Sequence, residues 1–157
     1  MKKQDYTTSI SVNATPQEAF HSINSVTRWW TENLEGSSQE LNDEFTVHFG
    51  DVHVSTQKLI EVIPNKKVVW LVTDSKLNFI KDKQEWNGTK IIFEISEKDN
   101  KTQVRFTHQG LIPQIECFDA CSNAWGDYIT QSLRNLINTG NGQPTKMEAK
   151  ARVAKKE

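Results

Sequence analysis

A single long helix near the end of the chain carries a continuous apolar stripe, and this stripe is the strongest constraint on the fold. The helix is predicted from about residue 115, after Pro113, to about residue 138, before Gly140. Such a helix must bury its apolar face against another large apolar surface. The side chains of the stripe recur every three or four residues, the spacing of one helix face: Phe118, Cys121, Trp125, Ile129, Leu133 and Leu136.

Strands of alternating apolar and polar residues supply the surface that this helix needs. Short turns such as Gly50-Asp51 and Asn87-Gly88 separate them, and strands joined by short turns pair antiparallel. Residues 75–84 fit either a loop or a short strand. The sequence therefore predicts an α+β fold with a curved antiparallel sheet of six to seven strands wrapped around the long helix. The strands are predicted at residues 6–13, 45–49, 52–63, 67–73, 90–96 and 104–108.

Two short helices are predicted directly after the first strand. Thr15, Pro16 and Glu18 form a capping box with proline at the first helical position, which marks a helix start. Trp29 and Trp30 continue the apolar stripe into a second helical turn, and residues 32–43 are polar and are predicted as a loop. We expect one domain over residues 1–142 and a disordered polar tail over 143–157, because the tail has no apolar periodicity.

Composition excludes several classes of function. A net charge of −1 argues against nucleic-acid binding, which usually needs a basic surface. No apolar segment follows Met1-Lys2-Lys3 as in a signal peptide, and no apolar run approaches the ~20 residues of a membrane span. We therefore expect a cytoplasmic protein. Cys117 and Cys121 stand four residues apart in a predicted helix, a poor geometry for a disulfide, and are expected to be core thiols.

Five segments, taken in order, resemble the activator-of-heat-shock-ATPase homologue branch of the START-like (SRPBCC) helix-grip superfamily. They are residues 10–20, Trp29-Trp30, residues 59–70, residues 102–108 and residues 125–136. The resemblance implies a sheet curved around the C-terminal helix with an internal cavity. It also implies binding or transport of lipids or other apolar molecules, although some relatives are cyclases and the eukaryotic namesake stimulates a chaperone ATPase.

The main functional hypothesis is a cavity for an apolar or amphipathic small molecule between the sheet and the helix. Apolar walls with few polar groups are typical of small-molecule sites. The alternative for each aromatic residue is a plain role in the core. The candidate cavity residues are Trp29, Trp30, Phe49, Trp70, Phe79, Trp86, Phe93, Phe106, His108, Phe118, Cys121, Trp125 and Ile129.

Catalysis and partner binding remain open as alternatives. His108 is the one weak catalytic candidate: with Glu116 or Asp119 opposite it, a buried imidazole can act as a general base of a cyclase or hydrolase. His48 and His53 flank a turn but lack the second shell of a metal site, so we predict no metal and no cofactor. A chaperone contact and a homodimer are further alternatives. The sequence favours binding over catalysis without deciding whether the protein is an enzyme.

Overall fold

The computed structural model describes residues 5–146, which form one seven-stranded antiparallel sheet and a long C-terminal helix. The strand order is β1-β7-β6-β5-β4-β3-β2, so every strand except the first lies beside its sequence neighbour. This arrangement confirms the predicted helix-grip fold of the α+β class. The strands are β1 Tyr6–Val12, β2 Leu34–Gly36, β3 Glu44–Phe49, β4 His53–Ile63, β5 Lys67–Leu77, β6 Lys90–Lys98 and β7 Lys101–Gln109.

Helix α1, Pro16–Asn24, begins at the predicted capping box. The Glu18 amide donates to Thr15 Oγ1 over 3.1 Å, and the Thr15 amide donates to Glu18 Oε1 over 2.9 Å. This pair of bonds satisfies two amide groups that the first turn of a helix otherwise leaves free. A 3₁₀ turn, Val26–Arg28, follows and delivers Trp29 and Trp30 to the interior, where both are buried.

The C-terminal helix changes its winding in the middle. It consists of α2 (Phe118–Asp127), a π-helical segment (Tyr128–Leu133) and α3 (Arg134–Thr139), and it ends at Gly140, whose φ is 87°. Residues four apart drift by about 40° per step around an α-helix. The wider π turn offsets this drift, so the apolar stripe stays on one face, and Trp125, Ile129 and Leu133 are all buried.

The sheet curves because the pairing of β4 with β5 is interrupted twice. The register shifts between Thr56 and Gln57 and again between Leu59 and Glu61. Such irregularities bend a strand and increase its twist, which lets a sheet wrap around a helix. The concave face receives the inward side chains of the central strands, with Trp70 opposite Ile91 and Phe93 opposite Phe106 in register.

Large aromatic rings fill most of the space between the sheet and the helix. Trp29 and Trp70 are both completely buried and stack with ring centroids 6.5 Å apart. Phe93 packs edge-on against Trp70 at 4.9 Å, and Phe106 lies 4.6 Å from Trp125 on the helix. These contacts join sheet and helix into one core, because aromatic pairs at such distances attract beyond the area they bury.

Two expectations about chain boundaries need correction, and one that the sequence left open can now be decided. The predicted loop 32–43 contains the short strand β2, which pairs with β3, and the ambiguous segment 75–84 is strand up to Leu77 and turn thereafter. The predicted tail begins at residue 143, yet Gln143, Thr145 and Lys146 bond to the domain. The Thr145 amide donates to the Trp30 carbonyl over 3.0 Å, and Gln143 N donates to Ser132 Oγ over 2.7 Å. The remainder of the predicted tail, 147–157, lies outside the described residues.

Candidate functional site

A pocket of about 200 Å³ opens at one end of the interface between the sheet and the C-terminal helix. Strand β4, the turn after β5 and helix α2 provide its walls. Apart from one imidazole, one thiol and one phenol, the wall side chains are aliphatic or aromatic. The lining residues are Trp30, Phe49, Val52, His53, Phe79, Trp86, Ala120, Cys121, Ala124, Trp125 and Tyr128.

The structure brings together only part of the predicted cavity. Trp30, Phe49, Phe79, Trp86, Cys121 and Trp125 line the pocket. The other predicted residues are packed in the core, half-buried on the helix or, for His108, placed behind the pocket wall. The physical reason is volume: bulky rings from both layers occupy the deep end and leave space only near the surface. The predicted residues outside the pocket wall are Trp29, Trp70, Phe93, Phe106, His108, Phe118 and Ile129.

Sequence reasoning missed five residues of the pocket wall: Val52, His53, Ala120, Ala124 and Tyr128. The two alanines carried a usable signal. They stand four residues apart on α2, so they share a face, and their small side chains leave room beside the bulky stripe. Val52 and His53 lie where the turn after β3 leads into β4, and the alternation of apolar residues gave no sign that these two side chains line a pocket.

Two surface turns form the mouth of the pocket. Val52 and Phe79 lie there with 51% and 44% of their surfaces exposed. The Asn78 amide donates to the Val52 carbonyl over 2.9 Å, and Asn78 Nδ2 donates to the Asp51 carbonyl over 2.6 Å. These bonds hold the two turns together, so the apolar side chains at the mouth have a fixed backbone beneath them.

A continuous chain of hydrogen bonds runs directly behind the pocket wall. Trp125 Nε1 donates to His108 Nδ1 over 3.0 Å, which places the imidazole proton on Nε2. His108 Nε2 is 2.8 Å from Thr89 Oγ1, and that hydroxyl donates to the Trp86 carbonyl over 2.6 Å. Both ring nitrogens of His108 are therefore occupied by neutral groups.

His108 has the partners of a structural residue rather than those of the predicted general base. Complete burial lowers its pKa to about 3, so the imidazole is neutral at pH 7. The expected carboxylate partner is elsewhere: Glu116 Oε1 accepts from the amides of Lys81 and Asp82. His108 thus orients Trp125, whose indole forms part of the pocket wall.

His53 is the imidazole that lines the pocket. Its ring packs against Trp86 and Phe49, with centroids 4.7 and 4.9 Å away. Partial burial among these rings lowers its pKa to about 3, with a smaller contribution from His48. Its Nε2 lies 2.7 Å from Ser55 Oγ. The Ser55 hydroxyl oxygen accepts a hydrogen bond from Gln57 Nε2 over 2.6 Å.

The two cysteines are free buried thiols at the start of α2, as the sequence indicated. A hydrogen bond between them raises the pKa of Cys117 and lowers that of Cys121. Glu85 accepts from the amides of Glu116 and Cys117 at 2.6 and 3.0 Å, so a carboxylate occupies the start of this helix. Cys121 alone reaches the pocket.

The histidines near the Gly50–Asp51 turn have separate partners. His48 Nε2 lies 3.5 Å from Glu35 Oε2 on β2, whereas His53 bonds to Ser55. Across residues 5–146, no group of three or more histidine, cysteine, aspartate or glutamate side chains is arranged to hold a metal ion. None of the helices described is long and apolar enough to cross a membrane.

The fold and the pocket together define a helix-grip domain. The family model described as "Activator of Hsp90 ATPase homolog 1-like protein" matches residues 18–138. The chain belongs to this family, as the resemblance in the sequence indicated. Among curated proteins, none matches the chain.

Solved structures share the fold at low sequence identity. The Aha1 dimer from Colwellia psychrerythraea aligns with a TM-score of 0.70 and 23% identity, covering 88% of this chain and 99% of that one. Protein BH1534 from Bacillus halodurans aligns with a TM-score of 0.63 and 15% identity. The alignment covers 88% of this chain and 100% of BH1534. DynU16, a putative protein in the dynemicin biosynthetic locus, aligns with a TM-score of 0.64 and 14% identity. The alignment covers 90% of this chain and 49% of DynU16.

Proposed function

We propose that the chain binds a small, largely apolar molecule, such as a lipid fragment or an aromatic compound, in the pocket beside α2. The observation that carries this proposal is the pocket itself: about 200 Å³ of space with nearly all-apolar walls in an otherwise tightly packed core. An apolar cavity of roughly 150 Å³ suffices to hold benzene. The pocket is therefore large enough for a molecule of one or two rings.

Burial of apolar surface is the driving force in this proposal. The indoles of Trp30, Trp86 and Trp125 supply much of the apolar wall, and those of Trp86 and Trp125 stack at a centroid distance of 6.0 Å. Each 100 Å² of apolar surface removed from water contributes about 2.5 kcal/mol. The exposed Val52 and Phe79 at the mouth extend the apolar surface to solvent, which favours entry of an apolar ligand from this side.

Titration with tetralin, an apolar bicyclic hydrocarbon, tests the proposal. Two-dimensional NMR of the ¹⁵N-labelled protein follows the indole N–H signals, and we expect those of Trp30, Trp86 and Trp125 to shift most. Bound ligand also stabilises the fold by about 2.7 kcal/mol at a hundredfold excess over the dissociation constant. Unchanged indole signals and an unchanged Tm at saturating tetralin would contradict the proposal.

A matched pair of variants locates the site. Ala124 is exposed at the edge of the pocket, so Ala124→Phe fills the opening without forcing a ring into the core. We expect this variant to lose at least tenfold in affinity for tetralin. Asn123→Phe adds the same ring to the adjacent exposed position, which does not line the pocket, and should bind like the parent. Equal losses in both variants would place binding elsewhere.

Two interactions with proteins are secondary proposals from the comparisons. The Colwellia relative is described as a dimer, and we propose a homodimer here, to be tested by light scattering during size-exclusion chromatography. The family description names an Hsp90 ATPase activator, so a chaperone contact is the competing functional class. Measuring Hsp90 ATPase turnover with and without the chain decides it, and stimulation that survives Ala124→Phe would separate that role from the pocket.

A further inference from the structure

His53, the one imidazole of the pocket wall, has a ring nitrogen without a hydrogen bond to the protein. His53 Nε2 is held by Ser55, whereas Nδ1 has no hydrogen-bond partner within residues 5–146. This nitrogen is also not among the buried polar atoms that lack a partner, so it is not sealed inside the protein. A polar atom in this position is available to a molecule in the pocket.

The neighbouring hydrogen bonds decide whether Nδ1 donates or accepts. Gln57 Nε2 donates to Ser55 Oγ, so the single Ser55 hydroxyl proton is left for another acceptor. His53 Nε2, at 2.7 Å, is the acceptor that the structure offers. Since Nε2 then accepts, the ring proton of the neutral imidazole resides on Nδ1, which is therefore a donor.

Two other polar groups of the wall are hydrogen-bonded within the protein. Trp125 Nε1 donates to His108, and the Tyr128 hydroxyl bonds to Thr145 Oγ1. Trp86 Nε1 is buried and interacts with the thiols of Cys117 and Cys121. The indole N–H of Trp30 makes no hydrogen bond within residues 5–146. The free polar groups of the wall thus include N–H donors. The rings of Trp30, Phe49 and Trp86 surround the His53 imidazole with apolar surface.

We propose, building on the function proposed above, that the ligand is an uncharged apolar molecule with one acceptor oxygen, bound to His53 Nδ1–H. Ketones and ethers have this chemistry. The imidazole is neutral at pH 7, so a carboxylate ligand would bring an uncompensated charge into an apolar pocket, which is unfavourable. A neutral oxygen satisfies the donor without that cost.

The test compares tetralin with 1-tetralone, which differ by one carbonyl group, in the parent protein and in His53→Phe. The phenyl ring keeps the contacts with Trp86 and Phe49 but has no donor. We expect the ratio of the tetralin to the 1-tetralone dissociation constant to fall about 3- to 10-fold in the variant, the effect of one neutral hydrogen bond. Tetralin itself should bind both proteins, which shows that the variant is folded.

The outcomes separate this inference from the function on which it rests. If neither compound binds the parent protein, the proposed function fails. If both bind but the ratio is the same in parent and variant, the pocket binds ligands and the His53 contact is wrong; the donor is then an indole N–H of the wall or none. A ¹⁵N-histidine NMR spectrum of the parent protein with 1-tetralone shows which ring nitrogen of His53 carries the proton. We expect Nδ1, and a proton on Nε2 would also overturn the inference.

Discussion

Mild acid should destabilise this domain through its two histidines of low pKa. His53 and His108 both have a pKa of about 3 in the folded protein, against about 6.5 in an unfolded chain. Between these values the unfolded chain binds protons that the folded protein does not. The free energy of unfolding therefore holds its full value above pH 6.5 and falls as the pH drops toward 3.

The magnitude follows from the fraction of protonated imidazole. At pH 5.5, roughly nine-tenths of each unfolded histidine carries a proton while the folded ones remain neutral, which favours unfolding by about 1.4 kcal/mol per residue relative to pH 7.5. The two together give about 2.7 kcal/mol, or a decrease in Tm of about 5–10 °C for a domain of this size. Carboxylates of ordinary pKa contribute little, since they titrate mainly below this window.

Urea unfolding at pH 7.5 and 5.5, monitored by circular dichroism, measures this difference. His53→Phe removes one of the two groups and should reduce the pH-dependent loss to about half, 1.4 kcal/mol. His21→Gln changes an exposed histidine on α1 and should keep the full loss. A parent protein that is equally stable at both pH values would refute the reasoning, because both imidazoles would then be protonated in the folded state.

Three further predictions concern the packing behind the pocket. Trp125→Ala should cost about 3–5 kcal/mol of unfolding free energy in urea titrations, since it removes a buried indole and the donor to His108, and Trp125→Phe should cost less. Thr89→Val should cost about 1–3 kcal/mol by leaving His108 Nε2–H without an acceptor, whereas Thr89→Ser should retain most of the stability. Truncation after Lys146 should change the Tm by about a degree at most, but truncation after Gly142 should lower it by several degrees, because it removes the hydrogen bonds of residues 143–146.

Local rules of chain geometry made much of the fold predictable from sequence. The capping box at Thr15 and Glu18 formed as expected, because its hydrogen bonds depend only on residues three apart. Gly140 ends the C-terminal helix with a positive φ, as a glycine after the last helical turn commonly does. The alternating segments became strands for the same reason: period two with one apolar face leaves few other conformations.

Features that depend on distant contacts were not predictable in the same way. Strand β2 has three residues and one apolar side chain, Leu34, so it has no detectable period; it exists because β3 lies beside it. Residues 143–146 look like a polar tail, but the amide and carbonyl of Thr145 find partners at Trp30 and Glu32. A backbone group hydrogen-bonds where the fold places a partner, irrespective of the polarity of its side chain.

The position of the pocket depends on how well the side chains fill the space between helix and sheet, and this filling depends on side-chain size along the helix. In the second half of the C-terminal helix, Ile129 and Leu133 are completely buried in the same core cluster as the stacked rings of Trp29 and Trp70. In the first half, Ala120 and Ala124 lie beside the stripe and cannot fill the gap to β4. An alternation pattern identifies which residues face inward, but a cavity forms only where the inward residues are too small to meet.

This size difference also explains why a polar group is tolerated at the pocket. In the packed half, an unpartnered imidazole nitrogen would be sealed from water at a cost of about 1–3 kcal/mol. Beside the two alanines, His53 Nδ1 avoids that cost because the open pocket gives it access to solvent or to a ligand. The free donor and the small helix residues are thus linked: enlarging Ala124 would both close the pocket and leave the His53 donor without a partner.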